Sequence, residues 1–253
     1  MRILREIGML SFRCIKATLR NPIFLVMGVV MPLTYLALFT PLLKTLVVNG
    51  TIPEKHILTF FVPGMLPIIA FSKGLFTGFT MISELRAGVI ERLRVTPASR
   101  FSILSGHVLF DTLAALFQSL LFVLVAIPFG FRADFLGMIT LFALLALLTI
   151  ITSSVGNALG LKLKGEDRYA PLVHGINLPI LLLSGTLLPF TLAPAWLKIV
   201  AHLNPVYYVV NASRALAVGN FSAPSILYAF AILTPMAFIA LTLSTRTFKK
   251  TVT

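Results

Sequence analysis

The side chains able to do acid–base, nucleophilic or metal chemistry are few and widely scattered. The acids are Glu6, Glu54, Glu84, Glu91, Asp111, Asp134, Glu166 and Asp167, and the histidines are His56, His107, His174 and His202. A metal centre is usually announced by His, Cys or carboxylate ligands at short characteristic spacings, and no such spacing occurs here. No nucleophile stands beside a base as an activated pair requires. A glycine-rich loop ending in Lys-Ser/Thr is also missing, so ATP phosphates cannot be held by that route. The single cysteine, Cys14, excludes an intramolecular disulfide. These residues point away from an enzyme and lead to the expectation that the chain binds no metal and no cofactor of its own.

Two ionisable residues fall inside long apolar runs. Lys73 lies about nine residues before the end of one run and Asp111 about nine residues into the next. If both runs are helices crossing a membrane in opposite senses, both residues sit roughly 13 Å deep, at 1.5 Å per residue. A cation and a carboxylate at equal depth should pair, because either alone is expensive in hydrocarbon. The pair could mark a substrate path or a proton relay. The preferred reading is a clamp between helices, since intramembrane pairs often serve packing.

The elements that must position these residues follow from hydropathy. The chain is 58% hydrophobic and 11% charged, with a mean hydropathy of +0.98. Too little polar surface remains to cover a soluble globule. Six runs are long enough to cross a hydrocarbon core of about 30 Å: residues 23–43, 58–82, 102–129, 135–161, 170–188 and 224–244. In lipid each should be a helix, which satisfies its own backbone. Pro32, Pro63, Pro67, Pro179 and Pro235 fall within them and predict kinks. The expected fold is an all-α polytopic membrane protein with six spans, a single domain over residues 1–253.

The net charge of +13 is punctuation between apolar runs rather than one basic face, which argues against nucleic acid. With the N-terminus inside, fifteen Lys and Arg fall in cytoplasmic segments and five outside. That excess predicts cytoplasmic N- and C-termini. Residues 1–20 alternate basic and apolar positions at helical spacing, with Ile3, Leu4, Ile7, Leu10 and Cys14 on one side. This predicts an amphipathic helix lying at the interface among lipid headgroups.

The stretch "ISELRAGVIERLRVTPASR" (residues 82–100) carries Glu84, Arg86, Glu91, Arg92, Arg94 and Arg100 between two apolar runs. It reads as a compact charged cytoplasmic helix over 83–97, ended by Pro97. Leu85, Val89, Ile90 and Leu93 could form an apolar knob for a partner to grip. On the other side, residues 189–221 are apolar yet interrupted by Pro189, Pro194 and Pro205. Their helical pieces are too short to cross and suit re-entrant or interfacial helices, with Trp196, Tyr207 and Tyr208 at headgroup depth.

This order, together with Glu84, Gly88, Glu91, Arg92, Leu93, Arg94, Val95, Thr96 and Pro97 in the loop and "GTLLPF…LNPVYYVVNASRALAVGN" beyond the fifth run, resembles the membrane permease of type-2 ABC exporters. The daunorubicin-resistance branch is the nearest in pattern. Ser83 departs from it, since many members carry Arg or Lys there. The resemblance implies that Glu84, Arg86, Gly88, Glu91, Arg92, Leu93, Arg94 and Pro97 form a coupling helix seated in a separate ATPase subunit, which binds the ATP and magnesium. It implies two ATPase copies, a second permease copy as a homodimer or a related permease, and a bacterial plasma membrane. It also implies an outer gate over Gly185, Pro189, Pro194, Asn204, Pro205, Tyr207 and Arg214, and a bracing role for residues 1–20. Phe71, Phe76, Phe79 and Phe117 are candidates to line a path for a drug, peptide or lipid, although any one of them could simply face lipid. A lipid-linked saccharide exporter of the same fold, and a secondary transporter using Lys73 and Asp111, are the alternatives.

Overall fold

A computed structural model describes residues 2–19, 57–94, 99–186 and 194–251, with positions 30, 33, 34, 37 and 38. Within them the chain is helical, and no strand occurs among the described residues. The helices are α1 (Arg2–Leu19), α2 (Ile57–Arg86), α3 (Val89–Arg94), α4 (Arg100–Ala126), α5 (Phe135–Leu163), α6 (Glu166–Leu183), α7 (Ala195–His202), α8 (Pro205–Ala217) and α9 (Pro224–Thr251).

Four of these, α2, α4, α5 and α9, are long and apolar enough to cross a membrane. They correspond to the second, third, fourth and sixth runs. The first run, including Pro32, lies almost wholly outside the described residues. The fifth is displaced, since the helix covers Glu166–Leu183 where the sequence predicts 170–188. Helix α6 has 18 residues, opens on Glu166, Asp167 and Arg168, and contains Pro171 and Pro179. At 1.5 Å per residue it is about 27 Å long, with its first turn charged.

Local chemistry sets the boundaries. Ser99 caps α4, its Oγ accepting from Ser102 N–H at 3.0 Å. Asp134 caps α5, accepting from Gly137 N–H at 2.7 Å. Asn204 caps α8 at 3.0 Å from Val206 N–H, with Pro205 next in line, where a missing N–H costs nothing. Helix α2 runs through Pro63 and Pro67 without ending. It stops at Ala87–Gly88, where Gly88 takes φ +66, a conformation that disfavours side chains.

Helix α2 stands at the centre, packed on α4, α5, α6 and α8, while α9 covers α5 and α1 lies along α4. The α2–α5 contact is built from two Gly-x-x-x-Gly patterns, Gly74–Gly78 on α2 and Gly156–Gly160 on α5. A methyl group on Gly156 would lie 2.7 Å from Gly74 O, and one on Gly160 would lie 2.7 Å from Gly78 O. One on Gly74 would overlap Thr152, and one on Gly78 would overlap Tyr169. Lipid supplies little hydrophobic drive between helices, so close backbone approach and dispersion hold them. Tyr169 of α6 seals the crossing, its hydroxyl 2.6 Å from Leu75 O and 3.3 Å from Gly156 O.

The main core gathers Phe61, Leu66, Phe122, Leu144, Val209 and Leu233 around this crossing. Leu113, Phe117, Leu120 and Leu124 of α4, and Leu227, Phe238, Ile239 and Leu243 of α9, face outward. That outer surface suits lipid.

Gly160→Val should lower thermal stability in detergent, by about 1–3 kcal/mol or more, because backbone rather than a movable side chain meets the new atoms. Gly175→Ala, with nothing within 4 Å of the added carbon, should not lower it and, within α6, should raise it slightly. Fluorescence-detected gel filtration across a temperature ramp distinguishes the two.

Candidate functional site

Polar side chains collect at three levels of the bundle. At mid-depth, Lys73 Nζ lies 3.4 Å from Asp111 Oδ1. Asp111 Oδ2 accepts from Thr77 Oγ1 and Ser153 Oγ, each at 2.6 Å. The carboxylate, 2% exposed, therefore joins α2, α4 and α5 with three donors. Lys73 also lies 5.6 Å from the centre of the Phe110 ring. Three donors from two neighbouring helices hold the carboxylate in place. Phe71, Phe76, Phe79 and Phe117 do not line one path. Phe71 is buried and Phe117 faces out, whereas Phe76 and Phe79 stack at 6.0 Å and reach His174 and Tyr169 of α6.

At the end of the bundle nearest Ile57, α7 and α8 fold over the helices. Arg214 of α8 donates from Nη2 to Gly185 O at 2.7 Å and Thr186 O at 3.3 Å, and from Nε to Phe60 O at 3.3 Å. Its guanidinium lies 3.6 Å from the centre of the Phe60 ring. Burial draws it down to about 10, so it stays charged at neutral pH. Carbonyls just past the end of α6 suit a cation. Gly185 takes φ +73 in that turn. Asn204 adds a second tie, Nδ2 to Ile180 O at 3.1 Å. Pro194 precedes α7 and Pro205 opens α8, while Tyr207 packs edge-on against His202 at 5.1 Å. Pro189 lies outside the described residues.

The opposite end carries the charged segment, and here the structure corrects the expected single helix over 83–97. Ser83–Arg86 is the last turn of α2, Ala87–Gly88 is a turn, and among the described residues Val89–Arg94 forms the short helix α3. Glu91 and Arg92 are exposed. The side chains of Leu93 and Arg94, and Pro97 altogether, lie outside the described residues. Ile90 is not part of an outward knob. It is 1% exposed and belongs to a buried apolar cluster with Met81 of α2, Ile103, Leu104 and Val108 of α4, Leu161 of α5 and Phe248 of α9, against which Leu85 packs. Arg86 reaches Glu166 of α6 at 3.2 Å on the surface.

Glu84 also turns inward. Its Oε1 accepts from Arg13 of α1 at 2.8 Å and its Oε2 lies 2.9 Å from His107 Nε2. Helix α1 thus docks on the bundle. Ser11 donates to Gly106 O at 2.9 Å, and Gly106 leaves room for Leu10. Cys14 is buried beside Glu84 and His107, and burial pushes its thiol up to about 12. Residue spacing gave no hint of this trio, whose members come from three helices.

Residues 5–218, most of the chain, match the ABC-2 type transporter family. The chain belongs to that family. It is 31% identical over 215 residues, covering 84% of this chain and 74% of the relative, to a protein of Cyanophora paradoxa described as a transport permease, ycf38. It is 26% identical over 211 residues to the daunorubicin resistance ABC transporter permease protein DrrB1 of Streptomyces coeruleorubidus, covering 83% and 74%. It is 30% identical over 167 residues to ABC transporter G family member 20 of Dictyostelium discoideum, covering 64% of this chain and 22% of that protein. The chain is thus a membrane permease of the ABC-2 type. Its family implies association with an ABC ATPase.

In this permease, Asp111→Ala should cost about 3–5 kcal/mol, because Lys73 and two buried hydroxyls lose their shared acceptor. Adding Lys73→Met should recover part of the loss. Folded yield and melting temperature of the single and double variants test this, and absence of any recovery would show that the ion pair is not the stabilising term.

Proposed function

We propose that the permease forms the transmembrane path of an exporter for an amphipathic substrate, a drug, peptide or lipid-like molecule, powered by ATP hydrolysis on separate subunits. It works as a homodimer with two ATPase copies in a bacterial plasma membrane, its N- and C-termini cytoplasmic. ATP and its magnesium are held by the ATPase subunits. The substrate class rests on the likeness to a daunorubicin resistance permease.

The observation that carries the reading is the two-sidedness of α3. Its exposed Glu91 and Arg92 offer charges of both signs for a soluble partner to register against, whereas Ile90 is buried in an apolar cluster that includes residues of α2, α4, α5 and α9. Side-chain interiors are close-packed and resist deformation. A push on Glu91 and Arg92 therefore reaches α2, α4, α5 and α9 through one buried side chain. Glu84 and Arg86 support α3 from the end of α2 rather than facing the partner alone, and Gly88 lets the chain turn between them. The lid made by α7 and α8, held by Arg214 and Asn204, closes the outer end of the path, and α1 braces the inner end.

The experiment is reconstitution with the co-purifying ATPase. Alanine at both Glu91 and Arg92 should leave the complex assembled but cut transport by about ten-fold or more, equivalent to about 1.4 kcal/mol or more in the transport barrier. Wild-type transport by that variant would refute the role. Failure of any ATPase to co-purify in mild detergent would refute the exporter assignment.

A further inference from the structure

Cys14 of α1, Glu84 of α2 and His107 of α4 place one sulfur, one oxygen and one nitrogen within 4.8 Å of one another. Hydrogen-bond logic fixes the state of the imidazole. His107 Nδ1 lies 2.9 Å from Ile103 O, and a carbonyl only accepts, so Nδ1 carries a proton. Nε2 then faces Glu84 Oε2 at 2.9 Å, and a carboxylate also only accepts. Something positive must lie between those two atoms, either a proton or a metal ion. A histidine whose far N–H is held by a backbone carbonyl is the common arrangement for a metal ligand. Glu84 keeps its other oxygen on Arg13 at 2.8 Å, which orients the carboxylate from behind.

We propose that Cys14, Glu84 and His107 form a binding site for a borderline-soft divalent cation of the zinc class. The mixed sulfur, nitrogen and oxygen set suits zinc, whereas magnesium and calcium take oxygen donors. Binding displaces two protons, that of the Cys14 thiol and the one shared by Nε2 and Oε2. Two positive charges leave as protons and two arrive with the ion, so the net charge of the half-buried group does not change. The ion would bolt α1 to α2 and α4 beside α3, a role that goes beyond the exporter assignment and does not depend on it.

The test uses the full-length protein purified in detergent without a polyhistidine tag and dialysed into metal-free buffer. Zinc chloride is then titrated against a chromophoric chelator. Wild type should take up one zinc per chain, and Cys14→Ser and His107→Gln should bind at least about ten-fold more weakly. Cobalt(II) in the wild-type protein should show thiolate-to-metal absorption that Cys14→Ser lacks, a reading that stands on the wild type even where a variant folds poorly. No stoichiometric zinc, or equal uptake by wild type and Cys14→Ser, would overturn the site and leave the trio as an imidazolium–carboxylate clasp.

Discussion

The backbone contact between α2 and α5 governs the rest of the bundle. Gly74, Gly78, Gly156 and Gly160 carry no side chains, and carbonyl oxygens of α2 lie where a methyl group on α5 would stand. Ser154 Oγ and Asn157 Oδ1 go without a partner among the described residues. Two helices held that close nevertheless leave little space for water, which favours polar groups near the crossing that find partners within the protein. Asp111 does so with three donors from neighbouring helices. Tyr169 does so against Leu75 O. The Ser153 bond to Asp111 and the aromatic seal thus depend on the crossing. With larger residues at the four glycines, Ser153 would move away from Asp111, and the carboxylate would keep Lys73 and Thr77 only.

Much of this was legible in the sequence because hydropathy and charge are one-dimensional signals. The runs at 58–82, 102–129, 135–161 and 224–244 are found as long apolar helices, since length and composition alone decide whether a segment can cross. The meeting of Lys73 and Asp111 followed from equal depth on antiparallel neighbours. The proline-broken stretch after Thr186 gave short helices because Pro194 and Pro205 start new ones.

What the sequence hid was which faces meet. Gly74–Gly78 and Gly156–Gly160 are 82 positions apart and announce a close contact only once they are paired. Ile90 looked like an outward knob because its neighbours are charged, but a six-residue helix turns one side fully inward. Glu84 seemed to belong with Glu91 and instead completes the last turn of α2, where Arg13 and His107 meet it. Arg214 was counted among the outside charges. Its role as a clasp on three carbonyls could not be read from a residue count, because carbonyl acceptors are the same at every position.

The two ends of the bundle are held by different chemistry, and this bears on how they respond to force. At the Ile57 end, Arg214 and Asn204 bond to main-chain carbonyls of α2 and of the chain around the end of α6. Such ties move only when those segments move. Beside the buried Ser11 bond to Gly106 O, the charged end has ties from side chain to side chain, Arg13–Glu84 and Arg86–Glu166, partly open to water and individually weak. They can be remade at new distances. Ile90 cannot, since displacing it alone would open a cavity among residues of α2, α4, α5 and α9 at a cost of several kcal/mol. The surface of the charged end is thus held more loosely than its buried cluster or than the carbonyl ties at the Ile57 end.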